Sequence, residues 1–276
     1  MKKNKLVKPF VKWAGGKRQL LPQIEQFIPT DFGTYYEPFL GGGAVLFYLQ
    51  PERCVVNDVN TEIINVYQAV KSDVDALIEI LKSYKNESEF YYEIRSWDRQ
   101  PKYDKMTKTE RAARVIYLNK TCFNGLFRVN RQGQFNVPFG KYKKPNIINE
   151  ATLRAVSEFL QKSDCQLLST DFAKVISDAT ANDFVYFDPP YDPISSSSSF
   201  TGYTLNGFDK AQQERLKETC DELNQKGAKF LLSNSATDFI KDLYSDYQIE
   251  IVRAGRNINS VGTKRGKIDE VLIRNY

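Results

Sequence analysis

The chain has 276 residues, 39 Lys and Arg against 34 Asp and Glu, a net charge of +5, four Cys and no His. That length suits one large domain, or a main domain carrying a smaller one. A hydrophobic content of 41% with 26% charged residues is that of a globular chain, excluding disorder and collagen-like structure. Without His there is no catalytic triad, no imidazole acid/base catalysis and no imidazole-ligated metal. Cys54, Cys122, Cys165 and Cys220 stand far apart, with no CxxC pair for zinc or redox chemistry. Scattered thiols fit a reducing cytoplasm better than a disulfide framework. No apolar run reaches the roughly 18 residues of a membrane span, and the basic stretch after Met1 lacks the hydrophobic segment of a signal peptide. These features predict a cytoplasmic protein without a membrane partner, and its basic balance permits a polyanion partner.

Taken in order, the chain opens with Phe10–Lys17 and an apolar-periodic helix through Leu20, Leu21, Ile24 and Phe27. The segment Tyr35–Leu40 reads as a strand running into Gly41-Gly42-Gly43 and a helix over Ala44–Leu49, the opening of a nucleotide-binding unit. A short strand, Cys54–Val56, ends in Asn57-Asp58. Ser72 is placed to cap a helix carrying Val74, Leu77, Ile78, Leu81 and Tyr84 on one face. A capping box, Thr107–Glu110, starts another through Ala112, Val115, Ile116 and Leu118. Strand character returns at Gln166–Leu168 and Phe184–Phe187. It recurs at Phe230–Ser233 and Glu270–Ile273, with a helix over Asp209–Lys226 stopped by Gly227. Ser195–Ser199 reads as a mobile loop. Alternating strands and helices predict an α/β sheet interrupted by a mainly helical insertion.

Two constellations carry chemistry. Gly41-x-Gly43 after a strand lets backbone approach a ligand, and Asp58 at the next strand end suits two ribose hydroxyls. The third fingerprint glycine is absent, since Leu46 stands there. Gly16-Lys17 is no phosphate P-loop, which would need Gly at Val11 and Ser or Thr at Arg18. The sharper signal is Asp188-Pro189-Pro190-Tyr191 directly after an apolar strand. Tandem prolines remove two backbone donors and leave carbonyls as acceptors. With the Asp188 carboxylate they form an acceptor pocket for an amino group, and Tyr191 adds a face for a stacked base.

At this point the sequence resembles the Dam-like DNA adenine-N6 methyltransferases, the GATC-type, alpha-group amino-methyltransferases. The blocks that carry the resemblance run in the family's order: Lys12–Lys17, Glu37–Gly43, Asn57-Asp58, Phe123–Arg128, Phe135–Gly140 and Asp188–Tyr191. The resemblance implies a Rossmann-like S-adenosylmethionine-dependent methyltransferase sheet with an inserted, mainly helical target-recognition domain. Residues 1–60 and 149–276 would form the discontinuous catalytic, S-adenosylmethionine-binding domain, and 61–148 the DNA target-recognition domain. The expected methyl donor is S-adenosylmethionine, with no metal.

By the same resemblance, Trp13, Lys17, Phe39, Gly41, Gly43, Asp58, Asp171, Phe172 and Asp188 match cofactor-site positions. Lys17 is expected to pair with the methionine carboxylate, Trp13 to shelter the sulfonium, and Asp171-Phe172 to meet the cofactor's adenine. Asp188, Pro189 and Tyr191 are the catalytic candidates. An exocyclic amine is a poor nucleophile until hydrogen bonds to Asp188 and the Pro189 carbonyl draw its lone pair out of the ring, so catalysis works by positioning and electrostatics. The adenine must leave the duplex stack, and Tyr191 would stack on it. Lys12, Phe123, Asn124, Leu126, Arg128, Pro138, Lys141 and Tyr142 are the DNA-binding candidates, backed by basic Arg131, Lys143 and Lys144 and aromatic Phe127 and Phe135. Arg128 suits guanine, and Leu126 and Pro138 suit thymine methyls. Phe123 stands where many relatives carry Tyr and would fill the gap left by the flipped base, while Asn124 would meet a phosphate.

The implied activity is site-specific methylation of adenine N6 in duplex GATC, by a bacterial or phage-encoded enzyme with or without a partner restriction endonuclease. A dinucleotide-dependent oxidoreductase accounts for the glycine turn and Asp58 but leaves Asp188–Tyr191 and the basic insertion unexplained. A non-catalytic nucleic-acid-binding protein with a methyltransferase-like fold is opposed by intact Asp188 and Lys17. Methylation of RNA at N6 uses similar pocket chemistry and stays open on motifs alone.

Overall fold

Apolar and β-branched runs become strands β1 (Tyr35–Glu37), β2 (Arg53–Asn57), β3 (Asp164–Leu168), β4 (Phe184–Phe187), β5 (Lys229–Ser235), β6 (Gln248–Gly255) and β7 (Lys267–Arg274). The computed structural model describes residues 3–13, 15–194, 208–255 and 267–276, so the expected mobile loop Ser195–Ser199 lies outside the described residues. The chain forms two compact units. One comprises Met1–Gly16, Gly41–Gln50 and Asn60–Ser169, and the other Lys17–Leu40, Pro51–Val59 and Thr170–Tyr276.

In the second unit six strands lie in the order β2-β1-β4-β5-β7-β6. β1 pairs in parallel with β2 and β4, and β4 with β5, whereas β7 runs antiparallel to β5 and β6. β4 is buried at all four positions, which is why Phe184–Phe187 reads as an unbroken apolar run rather than an alternating one. Val185 and Phe187 share a face and pack with Phe230, Leu232, Val271 and Ile273. Leu216, Cys220 and Leu223 cover that face from the helix Lys210–Gln225, whose helical spacing puts them on one stripe. The chain leaves β1 for β2 on one side and later enters β4 on the other. The carboxyl ends of β1 and β4 therefore flank a topological switch point, where open α/β sheets bind ligands. This mixed α/β architecture agrees with the methyltransferase sheet expected from the sequence.

The first unit is mainly helical, with Thr61–Ser72, Val74–Ser83, Ser88–Ser96, Lys108–Thr121 and Glu150–Lys162 as its longer helices. The capping box at Thr107 and Glu110 forms with both reciprocal bonds. Ser72 does not cap the helix it precedes. It closes the preceding helix, its hydroxyl donating to the Gln68 carbonyl, and Asp73 is the boundary residue. That preceding helix, capped by Asn60 and burying Ile63, Ile64, Val66, Tyr67 and Val70, is not among the elements expected from the sequence. The helix expected through Leu20–Phe27 is split into Lys17–Gln19, Leu21–Ile24 and Glu25–Phe27, with Pro22 in its first turn. Cys122 and Cys220 are free and buried, whereas Cys54 and Cys165 are disulfide-bonded, a departure from four separate thiols that spacing alone does not report. Among the described residues no helix is long and apolar enough to cross a membrane.

Candidate active site and nucleic-acid interface

β4 delivers Asp188 to the switch point, and the two prolines that follow stop the strand because neither can donate to a ladder. The three-residue turn Lys17–Gln19 brings in Lys17, which is only 4% exposed. Its Nζ lies 2.7 Å from Asp188 Oδ1, and the Asp188 side chain is 21% exposed. Burial pushes the Asp188 carboxyl up to about 6, against the charge and hydrogen bond of Lys17 that favour ionisation, and the nearby Glu270 charge adds to the rise. Tyr191 donates its hydroxyl to Glu270 Oε2 at 2.7 Å, and Lys17 Nζ sits 4.6 Å from the centre of its ring. Burial, with the charges of Asp188 and Glu270, raises the Tyr191 hydroxyl far above its usual range, so it stays a donor. The Pro190 carbonyl accepts from Gln213 Nε2 at 2.9 Å. Among the described residues the Pro189 carbonyl has no such partner.

Neighbouring strand ends are tied together by Asn57, which is buried at the end of β2. Its Nδ2 donates to the carbonyls of Pro38 at 2.9 Å and Thr170 at 3.1 Å, and its Oδ1 accepts from Thr170 N at 2.8 Å. One amide thus sets the exits of β1 and β2 and the start of the Asp171-Phe172 segment, leaving half-buried Asp58 immediately beyond the strand. Phe39 packs on Phe172 at 5.3 Å between ring centres, beside Phe187 and Phe208. Asp171 caps the short helix Phe172–Val175 and forms an ion pair with Arg215, whose guanidinium lies 4.5 Å from the Phe172 ring centre. Lys17, Phe39, Asp58, Asp171, Phe172, Asp188, Pro189 and Tyr191 all belong to this second unit. Lys17, expected to meet a cofactor carboxylate, here balances Asp188.

Trp13, Gly41 and Gly43 belong to the first unit. A Cβ on Gly41, where φ is +47°, would lie 2.6 Å from Trp13 Cδ1, and one on Gly43, where φ is +65°, would lie 2.7 Å from the Tyr67 hydroxyl. Both glycines are therefore required by backbone conformation and by packing as well as by any approach of a ligand. Trp13 is half-buried and stacks on Phe127 with 5.0 Å between ring centres.

The DNA-binding candidates gather on a short antiparallel ribbon. Isolated bridges join Cys122 to Phe139 and Val129 to Phe135. Phe123 N donates to the Pro138 carbonyl at 2.8 Å and Asn136 N to the Arg128 carbonyl at 3.0 Å. Phe123 is 51% exposed, Asn124 is exposed with φ of 56°, and Pro138 and Lys141 are exposed. Leu126 and Arg128 are half-buried. Arg128 is oriented by Asn136, which accepts from Nε at Oδ1 (2.6 Å) and from Nη2 at its carbonyl (3.2 Å). Lys12 joins the group through Asn119, which accepts from Lys12 N at 2.7 Å and donates to its carbonyl at 2.7 Å. Lys12 Nζ lies 5.3 Å from the Tyr142 ring centre.

Sequence reading misses Glu270, Gln213 and Asn234 around the Asp188 turn. Glu270 stands out only as the start of a strand, and buried amides inside a helix and a strand carry no spacing signal. Among the described residues no group of three or more His, Cys, Asp or Glu is set to hold a metal ion.

Comparison with known proteins follows the same lines. A profile described as D12 class N6 adenine-specific DNA methyltransferase matches residues 13–258. The chain is 44% identical over 279 residues to the type II methyltransferase M1.LlaDCHI of Lactococcus lactis subsp. cremoris, covering 100% of this chain and 98% of that one. It is 45% identical over 290 residues to the type II methyltransferase M.MjaIII of Methanocaldococcus jannaschii, covering 98% and 99%. Against a DNA adenine methylase of Vibrio cholerae serotype O1 the identity is 36% over 270 residues, covering 95% and 94%. With matches that run nearly end to end, the chain belongs to the D12 class of N6 adenine-specific DNA methyltransferases.

Proposed function

We propose that this adenine-specific DNA methyltransferase acts on duplex GATC, with the target adenine turned out of the helix and its N6 held by Asp188 and the Pro189 carbonyl. The observation that carries this reading is the acceptor pair itself, a carboxylate beside a proline carbonyl that has no partner among the described residues. Asp188 accepts one N6 hydrogen and the Pro189 carbonyl the other, drawing the nitrogen lone pair out of conjugation. Lys17 keeps the carboxylate ionised at neutral pH, and the same carboxylate, poised near 6, takes up the proton that N6 releases. Tyr191, anchored by Glu270, stacks on the base.

The family implies S-adenosylmethionine as donor, and the residues present suit it. Asp58 offers a carboxylate for the ribose diol, and half-buried Phe39 offers an apolar face for its adenine, backed by buried Phe172 and by Asp171, which is held by Arg215. When bound, it supplies an electrophilic methyl group. Trp13 and the Gly41–Gly43 turn, in the first unit, are proposed for the donor on the family resemblance alone. The 61–148 region reads DNA: Arg128 meets guanine, Leu126 and Pro138 the thymine methyl, Asn124 and Lys141 phosphates, with Lys12 and Tyr142 alongside. Exposed Phe123 fills the place of the extruded base. Residues 1–60 and 149–276 supply the chemistry. The enzyme works in the cytoplasm, and a restriction endonuclease acting on the same site would be a functional partner without direct binding.

The test is methylation-sensitive sequencing of DNA from cells expressing the protein, with mass spectrometry of the nucleosides. N6-methyladenine confined to GATC is expected. N6-methyladenine at another sequence overturns the site assignment, and methylcytosine alone overturns the assigned atom.

A further inference from the structure

Around the Asp188–Tyr191 turn, two fully buried side-chain amides close a hydrogen-bond circuit on the backbone. Gln213, in the first turn of the helix Lys210–Gln225, donates from Nε2 to the Pro190 carbonyl at 2.9 Å. Its Oε1 accepts from Asn234 Nδ2 at 3.0 Å. Asn234, on β5, accepts at Oδ1 from the backbone N–H of Asp192 at 3.1 Å and of Ser235 at 2.8 Å. Both ends of the circuit thus land on the three residues Pro190–Asp192. Ser235 Oγ donates to the Asp192 carbonyl and Thr237 Oγ1 to Asp192 Oδ2, each at 2.7 Å. Gln213 and Asn234 are each 0% exposed.

Two neutral amides in a core are destabilising unless every end is matched, and apolar side chains would fill the same space without that demand. What these amides do is select between two carbonyls. Pro189 and Pro190 have no N–H to anchor the turn, and the Asp192 N–H, which could close it on the Pro189 carbonyl, is held by Asn234 instead. Gln213 commits the Pro190 carbonyl to the scaffold, and among the described residues the Pro189 carbonyl is the one left beside Asp188. We propose that Gln213 and Asn234 are positioning residues for methyl transfer, reserving the Pro189 carbonyl as the second acceptor of the target amine. The inference rests on the Asp188–Pro189 reading given above.

The test uses the full-length protein and two variants. Gln213→Glu keeps size and length, but its ionised form has no donor for the Pro190 carbonyl. Protonated, it regains one donor and one acceptor and restores the circuit. Burial raises the carboxyl toward the accessible pH range. Single-turnover transfer to a GATC duplex is measured for variant and parent, and their ratio cancels the titration of Asp188 common to both. The ratio is expected to lie about tenfold or more below one near pH 8.5 and to recover several-fold near pH 6.5, with KM for DNA and for S-adenosylmethionine nearly unchanged. Gln213→Met should be slow at both pH values without recovery. Parent-like rates in a folded Gln213→Met, or a Gln213→Glu ratio flat with pH, would overturn the inference while leaving Asp188 and Pro189 intact. A parent that makes no N6-methyladenine would instead remove the reading beneath it.

Discussion

Around Asp188–Tyr191 the polar groups face one another, whereas along the ribbon between Cys122 and Gly140 many of them face outward. Asp188 meets Lys17, Tyr191 meets Glu270, and the Pro190 carbonyl meets Gln213. On the ribbon the backbone is tied by cross-strand bonds, but Phe123, Asn124, Pro138 and Lys141 are exposed. Arg128 lies between these extremes, its fork oriented by Asn136. Chemistry on a single nitrogen calls for fixed acceptors. For the ribbon, the proposed reading of a groove would use side chains held at the base and exposed at the tip.

The sharpest way to break this contrast is to remove the central acceptor. Asp188→Ala should reduce the rate of methyl transfer by about 10²–10³-fold or more while duplex binding persists. Rapid-quench turnover together with a DNA-binding isotherm checks both halves, and near-parental turnover would reject the role of Asp188.

A second prediction uses pH. If the ionised carboxylate is the acceptor, kcat/KM should fall as pH drops through about 6. Lys17→Gln removes the charge that lowers the carboxyl's pKa and should move that limb upward, as a pH-rate profile would report. The sign for stability is opposite to that of an ordinary surface carboxylate. The Asp188 carboxyl is raised in the fold, so its stabilising contribution is complete below about pH 4 and is lost as pH rises through about 6. Relative to Asp188→Asn, the parent should therefore lose about 3 kcal/mol over that window in denaturant titrations, because a tenfold change in proton affinity is worth about 1.4 kcal/mol.

Smaller effects sharpen the contrast rather than break it. Asp58→Ala should weaken S-adenosylmethionine by about 1.5–3 kcal/mol through loss of a charged hydrogen bond, measurable by calorimetry. On the ribbon, Arg128→Ala should relax discrimination at one guanine by roughly 1–3 kcal/mol. Exposed Lys143→Ala should weaken all sites alike and flatten the salt dependence by about one unit of slope. Comparing kcat/KM on GATC and its single-base variants at two salt concentrations separates them. A uniform loss in Arg128→Ala, with site preference unchanged, would remove it as the reader.

The parts of the molecule legible in sequence are those with short-range signatures. The run Phe184–Phe187 followed by two prolines announces both a buried strand and its end, and the Thr107–Glu110 capping box announces its helix. Asp188 and Lys17 are also visible, but not that they pair, because the partners lie far apart in the chain. The same limit hides Glu270 and the amides Gln213, Asn234 and Asn57, whose work consists of contacts between distant segments. The helix Thr61–Ser72 falls within the insertion expected to be helical but is not read as an element of its own, although Ile63, Ile64, Tyr67 and Val70 follow helical spacing behind the Asn60 cap. Gly41 and Gly43 read, in sequence, as a place for a ligand to approach. Their positive φ and the crowding by Trp13 and Tyr67 show a packing demand that no glycine pattern reveals.

The buried Lys17–Asp188 pair also bears on how this sequence drifts under selection. Removing one partner strands a charge, but replacing both with apolar residues of similar volume is often neutral or stabilising, by about 1–4 kcal/mol in proteins where it has been tried. Either single replacement leaves a buried charge unpaired, so the two positions are coupled in stability as well as in chemistry. At this pair the chemistry and the stability of the fold therefore ask for different residues.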